Sequence, residues 1–437
     1  MAAGGRTVGD ATVPDHHGDA PGGRAGRSDK TRVLERARSF LFPDRVERLA
    51  ALGVELVIGR REGYRFWDLD GREFMDFHLN GGTYSLGHRH PVLMEVLLDT
   101  LGFADVGNHH FANPARAELA ERLAAATGLQ YTVFTPSGAE AVDVAIKSAR
   151  RCTKRRKIVA LARGYHGRSG LSGAAGDDSA AADFLSDYPG EFLRVPFNDL
   201  AAIERALGDD DVAAVLMETI PATSGFPIPD PDYLPGVRAL CERHGSLYIA
   251  DEVQTGLGRT GRLWGVDCWD VKPDVLVTGK GLSGGLYPVS AAVLSRKVGS
   301  WLEQDGWGYV STFGGAEPGC AVGCHALGLC ADTGTLENVA SVASYLRNGL
   351  EGLRARYPFF KDIRQQGLVM GLEFDAPDGG MRMTGALYRH GIWAMFAGFD
   401  RSVLQFKPGL LIDRPYCDDA LGRFEDALRD LQRSALR

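Results

Sequence analysis

Short apolar runs of strand length, each bounded by polar residues or glycine, recur through the middle of the chain: Ile158 to Leu161, Val212 to Met217, Leu247 to Ala250 and Val275 to Val277. Continuous apolar runs of this kind predict strands buried on both faces of a parallel sheet. Between Ala115 and Val289 they alternate with segments of helical periodicity, which predict helices around Ala117 to Thr127, Gly138 to Arg150 and Tyr233 to His244. Such alternation argues for an α/β fold, a sheet covered by helices. No internal repeat is visible.

The flanks read differently. From Leu56 to Phe77 the alternation in Leu56-Val57-Ile58 and Tyr64-Arg65-Phe66-Trp67-Asp68, with Asp70-Gly71 as a turn, predicts a small antiparallel meander. A glycine-rich loop from Asn80 to Pro91 leads into a helix through Leu101. Beyond about Ala331 a long amphipathic helix (Leu336 to Tyr357) precedes the strand-like Leu368 to Phe374 and a helix near Met383 to His390. Short strands follow around Ile392 and Val403 to Phe406, and a closing helix carries Leu421, Phe424, Leu428 and Leu431 on one face. The expected division is a disordered tail (1–30, with order beginning near Val33), an N-terminal segment (31–110), a large domain (111–331) and a smaller α+β domain (332–437) that the N-terminal segment joins. The tail is rich in Gly, Ala, Arg and Asp and lacks periodic apolar positions. Its acidic residues, Asp10, Asp15, Asp19 and Asp29, speak against a transit peptide.

Composition narrows the function classes. Of 437 residues 44% are hydrophobic and 24% charged, with a net charge of -7, so a large core is available and no basic footprint for nucleic acid or anionic lipid is present. No apolar run approaches the roughly 18 residues that span a bilayer, and no secretory signal opens the chain. The seven cysteines show no zinc-type spacing; Cys320, Cys324 and Cys330 read as buried free thiols, no metal site is expected, and a reducing cytoplasm fits best.

The candidate chemistry sits where the last two apolar runs end. One delivers Asp251 and the other Thr278-Gly279-Lys280. In an open parallel sheet ligands lie beyond the carboxyl ends of the strands, so a carboxylate and an amine meet at one edge. A lysine that forms a Schiff base and an aspartate that keeps a pyridine nitrogen protonated are what a pyridoxal phosphate enzyme requires. A loop lysine and a helix-capping aspartate would look the same by position alone. Gly256-x-Gly258-x-x-Gly261 also satisfies a dinucleotide pattern, but polar residues separate it from the strand and no convincing helix follows. Ser137-Gly138-Ala139-Glu140 opens a helix, with Ser and Glu spaced for a capping box; its free N–H groups would equally cradle a phosphate. Tyr165-His166-Gly167-Arg168 follows the run Ile158 to Leu161, again at the ligand edge. There His166 reads equally as a structural histidine and Arg168 as a surface ion-pair partner.

The run Asp251-Glu252-Val253-Gln254-Thr255-Gly256-Leu257-Gly258-Arg259-Thr260-Gly261 resembles the cofactor motif of the class III aminotransferases, which precedes their Schiff-base lysine by a few tens of residues. The similarity runs from about Tyr64 to Ile412. It implies a fold type I enzyme with a large, mixed, mostly parallel sheet, pyridoxal 5'-phosphate as cofactor, and a ping-pong transfer between an amino donor and a carbonyl acceptor. Lys280 and Asp251 would be catalytic. Ser137, Gly138 and Ala139 would bind the phosphate, Tyr165 and Val253 would face the ring, with His166 beside it, and Gln254 would reach the ring hydroxyl. Thr312, in Ser311-Thr312-Phe313-Gly314-Gly315, resembles the residue that contacts the neighbouring subunit's phosphate, which implies a homodimer with shared sites. Tyr84, Arg168 and Gln405 become substrate-side candidates.

Two departures bear on the substrate. Ornithine-type members carry a Glu in Glu-Pro-x-Gln-Gly-Glu that pairs with an Arg in Arg-Phe-x-Pro-Pro. Here those segments read Glu218-Thr219-Ile220-Pro221-Ala222-Thr223 and Gln405-Phe406-Lys407-Pro408-Gly409, so Thr223 and Gln405 replace both partners. That argues against an ornithine or acetylornithine substrate and leaves open a less charged acceptor. An aminomutase of the glutamate-1-semialdehyde type, a decarboxylating transaminase and a racemase share the same cofactor residues and stay open. A cofactor-free scaffold on this fold would predict a damaged site, whereas Lys280 and Asp251 are both present.

Overall fold

The runs ending in Asp251 and Lys280 are adjacent strands of a seven-stranded sheet. The computed structural model describes residues 27–107, 110–177, 182 and 190–435; most of the expected tail lies outside them. In chain order the strands are β1 (Ile58–Glu62), β2 (Arg65–Asp68), β3 (Glu73–Asp76), β4 (Tyr131–Thr135), β5 (Lys157–Leu161), β6 (Phe192–Val195), β7 (Val212–Glu218) and β8 (Leu247–Asp251). They continue as β9 (Val275–Thr278), β10 (Ser290–Leu294), β11 (Phe360–Gln366), β12 (Val369–Phe374), β13 (Ile392–Trp393), β14 (Met395–Phe396) and β15 (Val403–Phe406). The large sheet has the order β4-β10-β9-β8-β7-β5-β6. Its neighbours are parallel except at β10, which runs antiparallel to both β4 and β9. The mixed, mostly parallel α/β sheet is therefore as expected.

β7 and β8 are buried along their whole length, because helices cover both faces. On one face the helix Gly138–Thr153 packs Val142, Ala145, Ile146 and Ala149 with Leu216, Ile249 and Val277. On the other the helix Tyr233–Arg243 packs Leu234, Val237 and Leu240 with Val215, Tyr248 and Leu276. The register sets Glu218 opposite Asp251 and Asp251 opposite Val277, so the three central strands end level at one edge.

The chain forms two compact units, residues up to Arg60 with Phe66–Glu73, and Arg61–Arg65 with Phe74 onward. In the first, the helix Arg27–Phe40 begins ahead of Val33. Asp29 lies in its first turn, where the helix dipole favours a carboxylate, and Lys30 is held by Asp68 at 2.8 Å and Asp70 at 3.0 Å. In the second, Met75 and Asp76 pair in parallel with Ile392 and Trp393, and β11-β12-β15-β14 form a separate antiparallel sheet. The closing helix, Arg414–Ala435, sets Phe424 against Phe360 and Phe406, with ring centroids 6.0 and 5.7 Å away. Phe406 in turn stacks on Phe77 at 4.2 Å.

Phe424 is fully buried in this aromatic cluster. Phe424→Ala is expected to cost about 3–5 kcal/mol, as lost burial plus an unfilled cavity. Denaturant midpoints would measure it; a loss below about 1 kcal/mol would mean that the helix contributes little to the fold.

Candidate functional site

Asp251 ends β8 and is buried. Its Oδ1 accepts a hydrogen bond from the Val253 N–H at 3.1 Å, and its Oδ2 lies 2.7 Å from Nδ1 of His166. The other ring nitrogen, Nε2, is buried without a partner among the described residues. Burial alone would strip His166 of its proton, but the hydrogen bond and charge of Asp251, reinforced by Glu218, leave its pKa raised. Glu218 ends β7 and accepts from the backbone N–H groups of Tyr165 at 3.0 Å and Ala222 at 3.3 Å. Burial nevertheless pushes its carboxyl up to about 7. Sequence reasoning did not single out Glu218 as a site residue, although it terminates its apolar run as Asp251 does.

Lys280 follows β9 with φ of 41°, a left-handed conformation that a non-glycine residue adopts only when its surroundings impose it. Gly81, itself at φ 72°, faces it: a Cβ there would stand 2.9 Å from Lys280 Cε. Burial lowers the Lys280 pKa, with Asp251 and Glu218 opposing. A lowered pKa raises the fraction of free amine, the form that attacks carbonyl carbon.

Ser137 caps the helix Gly138–Thr153, its Oγ accepting from the Glu140 N–H at 3.3 Å. Glu140 does not return the contact; its Oε2 is buried without a partner among the described residues. Only half of the expected capping box forms, and the first-turn N–H groups at Gly138 and Ala139 have no intrahelical acceptor. These residues line a cavity of about 300 Å³ together with Asp251, Val253, Gln254 and Lys280. Tyr165, His166 and Arg168 complete its wall, and Ser137 lines an adjoining cavity that Lys280 also borders.

The remaining candidates divide. Arg168 lines the cavity and also pairs with Asp177 at 3.3 Å. Tyr84 packs its ring on His88, centroids 4.1 Å apart, and against Gly285, and does not line the Lys280 cavity. Thr312 is exposed and away from the cavity of its own chain. Gln405, on β15, is buried and accepts a hydrogen bond from Lys407 Nζ at 2.6 Å. Lys407 and His78 were not anticipated. The pKa of His78 is driven well down by burial and by the charges of Lys407 and Lys280. Neither residue has a sequence signal: a lone His after a strand and a Lys before a Pro look like surface residues.

A family model described as aminotransferase class-III matches residues 50–428. An uncharacterized aminotransferase of Archaeoglobus fulgidus is 44% identical over 398 residues, 91% of this chain and 93% of that protein. The acetylornithine aminotransferase of Neisseria meningitidis serogroup A is 35% identical over 380 residues, 85% of this chain and 94% of that one. Among solved structures, the ornithine aminotransferase of Toxoplasma gondii superposes with a TM-score of 0.85 at 27% identity, covering 93% of this chain and 96% of its own.

Glu218 gives the site a pH signature. Its carboxyl holds a proton up to about 7 in the folded chain against an ordinary 4.5, so protonation favours the folded state. Stability present below pH 4.5 is lost as pH rises to about 7, by up to about 3 kcal/mol for this group. Glu218→Gln should flatten the fall in melting temperature of the cofactor-free protein between these limits. Some slope should persist from Glu252, which burial also raises to about 7. Equal slopes in variant and wild type would refute the assignment.

Proposed function

The chain belongs to the class III aminotransferases, and on that premise we propose that Lys280 and Asp251 are its catalytic pair in pyridoxal-phosphate-dependent amino transfer. One observation carries this reading: an amine of lowered pKa and a buried, hydrogen-bonded carboxylate border one cavity with a helix start whose N–H groups are free. The residues fit the cofactor. Its phosphate suits the N–H groups at Ser137, Gly138 and Ala139, and its aldehyde suits the Lys280 amine. When bound, the cofactor supplies an electron sink for negative charge at the substrate carbon.

Each side chain then has a defined task. Lys280 would hold the cofactor through its amine and would serve as the base that takes a proton from the substrate's α carbon. Asp251 would keep a proton on the pyridine nitrogen, and His166 steadies Asp251 through Oδ2. Tyr165, Val253 and Gln254 line the same cavity; the first two would bracket the ring and Gln254 would reach its hydroxyl. Arg168 and Gln405 face the substrate, with Tyr84 shaping the glycine-rich loop beside it.

Relatives carry acetylornithine and ornithine names, but the Glu and Arg of the ornithine-type pair are Thr223 and Gln405 here. A less charged carbonyl acceptor fits that pocket better. Exposed apolar side chains at Phe103, Phe111, Trp307 and Phe313 favour burial against a second copy, which would carry Thr312 to the partner's phosphate. All seven cysteines are free, which suits the cytoplasm. Among the described residues no helix is long and apolar enough to cross a membrane.

The deciding experiment follows the yellow absorbance of purified protein loaded with pyridoxal phosphate. An amino donor such as L-glutamate or L-alanine should bleach the wild type. Lys280→Ala should lose at least about a thousandfold in turnover. Bound cofactor that no amino acid bleaches would shift the reading to mutase or decarboxylating chemistry, and colourless protein would refute it. The dimer has its own check: Phe313→Asp should give monomers by light scattering, with activity lost alongside; an unchanged mass would place the interface elsewhere.

A further inference from the structure

Lys407 is fully buried, two residues beyond Gln405 and just past the end of β15. Its Nζ donates to Gln405 Oε1 at 2.6 Å and to Gln254 Oε1 at 3.3 Å. Among the described residues no carboxylate pairs with it. Burial, with the charges of Arg259 and Lys280, drives its pKa well down, and Asp76 only partly opposes. An ionisable amine buried without a counter-charge is costly, and a hydrophobic residue of the same volume would fill the space at less expense. Its chemistry therefore needs another explanation than stability.

The two acceptors supply one. Nζ carries at least two N–H groups in either protonation state, one for each glutamine oxygen. With both oxygens turned to Lys407, both amide NH₂ groups face away from it. Gln254 borders the cavity with Lys280 and Asp251. We propose that Lys407 is a positioning residue that locks the side-chain amides of Gln254 and Gln405, presenting the Gln254 NH₂ group as a fixed donor to the ring oxygen of the bound cofactor. Without that lock the amide is free to rotate by half a turn, offering an oxygen where a donor is needed. The inference rests on the pyridoxal phosphate reading of the cavity.

The test is a double-mutant cycle read by equilibrium titration of cofactor-free protein with pyridoxal phosphate. Lys407→Met keeps length and volume but has no donor. It should weaken cofactor binding about two- to tenfold, the worth of one positioned hydrogen bond. In the Gln254→Ala background the same change should cost nothing further, because the group through which it acts is gone. The melting temperature of cofactor-free Lys407→Met should hold or rise. Wild-type affinity in Lys407→Met, or the full loss repeated in the Gln254→Ala background with earlier melting, would overturn the proposal and mark a merely structural lysine.

Gln254→Glu covers the case in which Lys407→Met does not fold. A carboxylate beside Nζ makes an ion pair, so the melting temperature should hold or rise while cofactor affinity falls as far as in Gln254→Ala. Earlier melting would show that Nζ does not face that side chain and would overturn the assignment. A wild type that binds no pyridoxal phosphate overturns the functional reading and this inference together, whereas normal binding with an uncoupled cycle overturns this inference alone.

Discussion

Burial at the carboxyl edge of the sheet pushes both Glu218 and Lys280 towards their neutral forms, and much of the site follows from that constraint. Asp251 and Glu218 stand opposite each other on neighbouring strands, and Lys280 follows the next one. Burial first, and then the nearby Asp251 carboxylate, disfavour ionisation of Glu218. The asymmetry lies in their partners. Asp251 has the His166 ring nitrogen at 2.7 Å, whereas Glu218 has two backbone N–H groups and is pushed up to about 7. Burial likewise lowers the Lys280 pKa towards a usable amine, with Asp251 and Glu218 opposing.

Backbone geometry makes this crowding possible. Gly81 leaves room for the Lys280 stem that a Cβ would take, and Gly167, at φ 130°, leaves room for Ala139, where an added Cβ would stand 2.6 Å from the alanine Cβ. Lys280 itself accepts a left-handed backbone. Strain of this kind persists only where the surrounding structure over-determines it. Here that structure is a central sheet whose strands are buried end to end and tolerate no slip of register.

The central strands and their helices were legible in the sequence because each carries its own signal, a continuous apolar run or a helical stripe. Two strands that escaped notice carry it weakly: β10 is Ser-Ala-Ala-Val-Leu, short and with two alanines, a residue depleted in strands, and β6 is four residues long with an arginine inside. The site divides in the same way. Asp251, Lys280 and the Ser137 cap lie at the ends of readable elements. Lys407 and His78 acquire their importance only from side chains distant in sequence, and no local pattern announces a buried amine whose partners are two glutamines. Resemblance supplied the neighbours of Lys280 that periodicity could not, and it was silent about Lys407.

The substrate side carries the last consequence. Gln405 and Thr223, standing where the ornithine-type pattern has Arg and Glu, remove a pair of opposite charges, yet the strand does not lose positive charge capacity altogether. Side chains two apart on an extended strand share a face, and two residues beyond Gln405 stands Lys407. The difference lies in what a ligand meets. A guanidinium presents a forked, permanent cation that grips carboxylates, whereas Lys407 is covered by two amides and inclined by burial towards its neutral form. On the proposed reading, a ligand reaching Gln405 would meet a neutral amide in place of that cation. An amide there would orient polar groups through hydrogen bonds without demanding an anion, which is the physical basis for proposing a less charged acceptor.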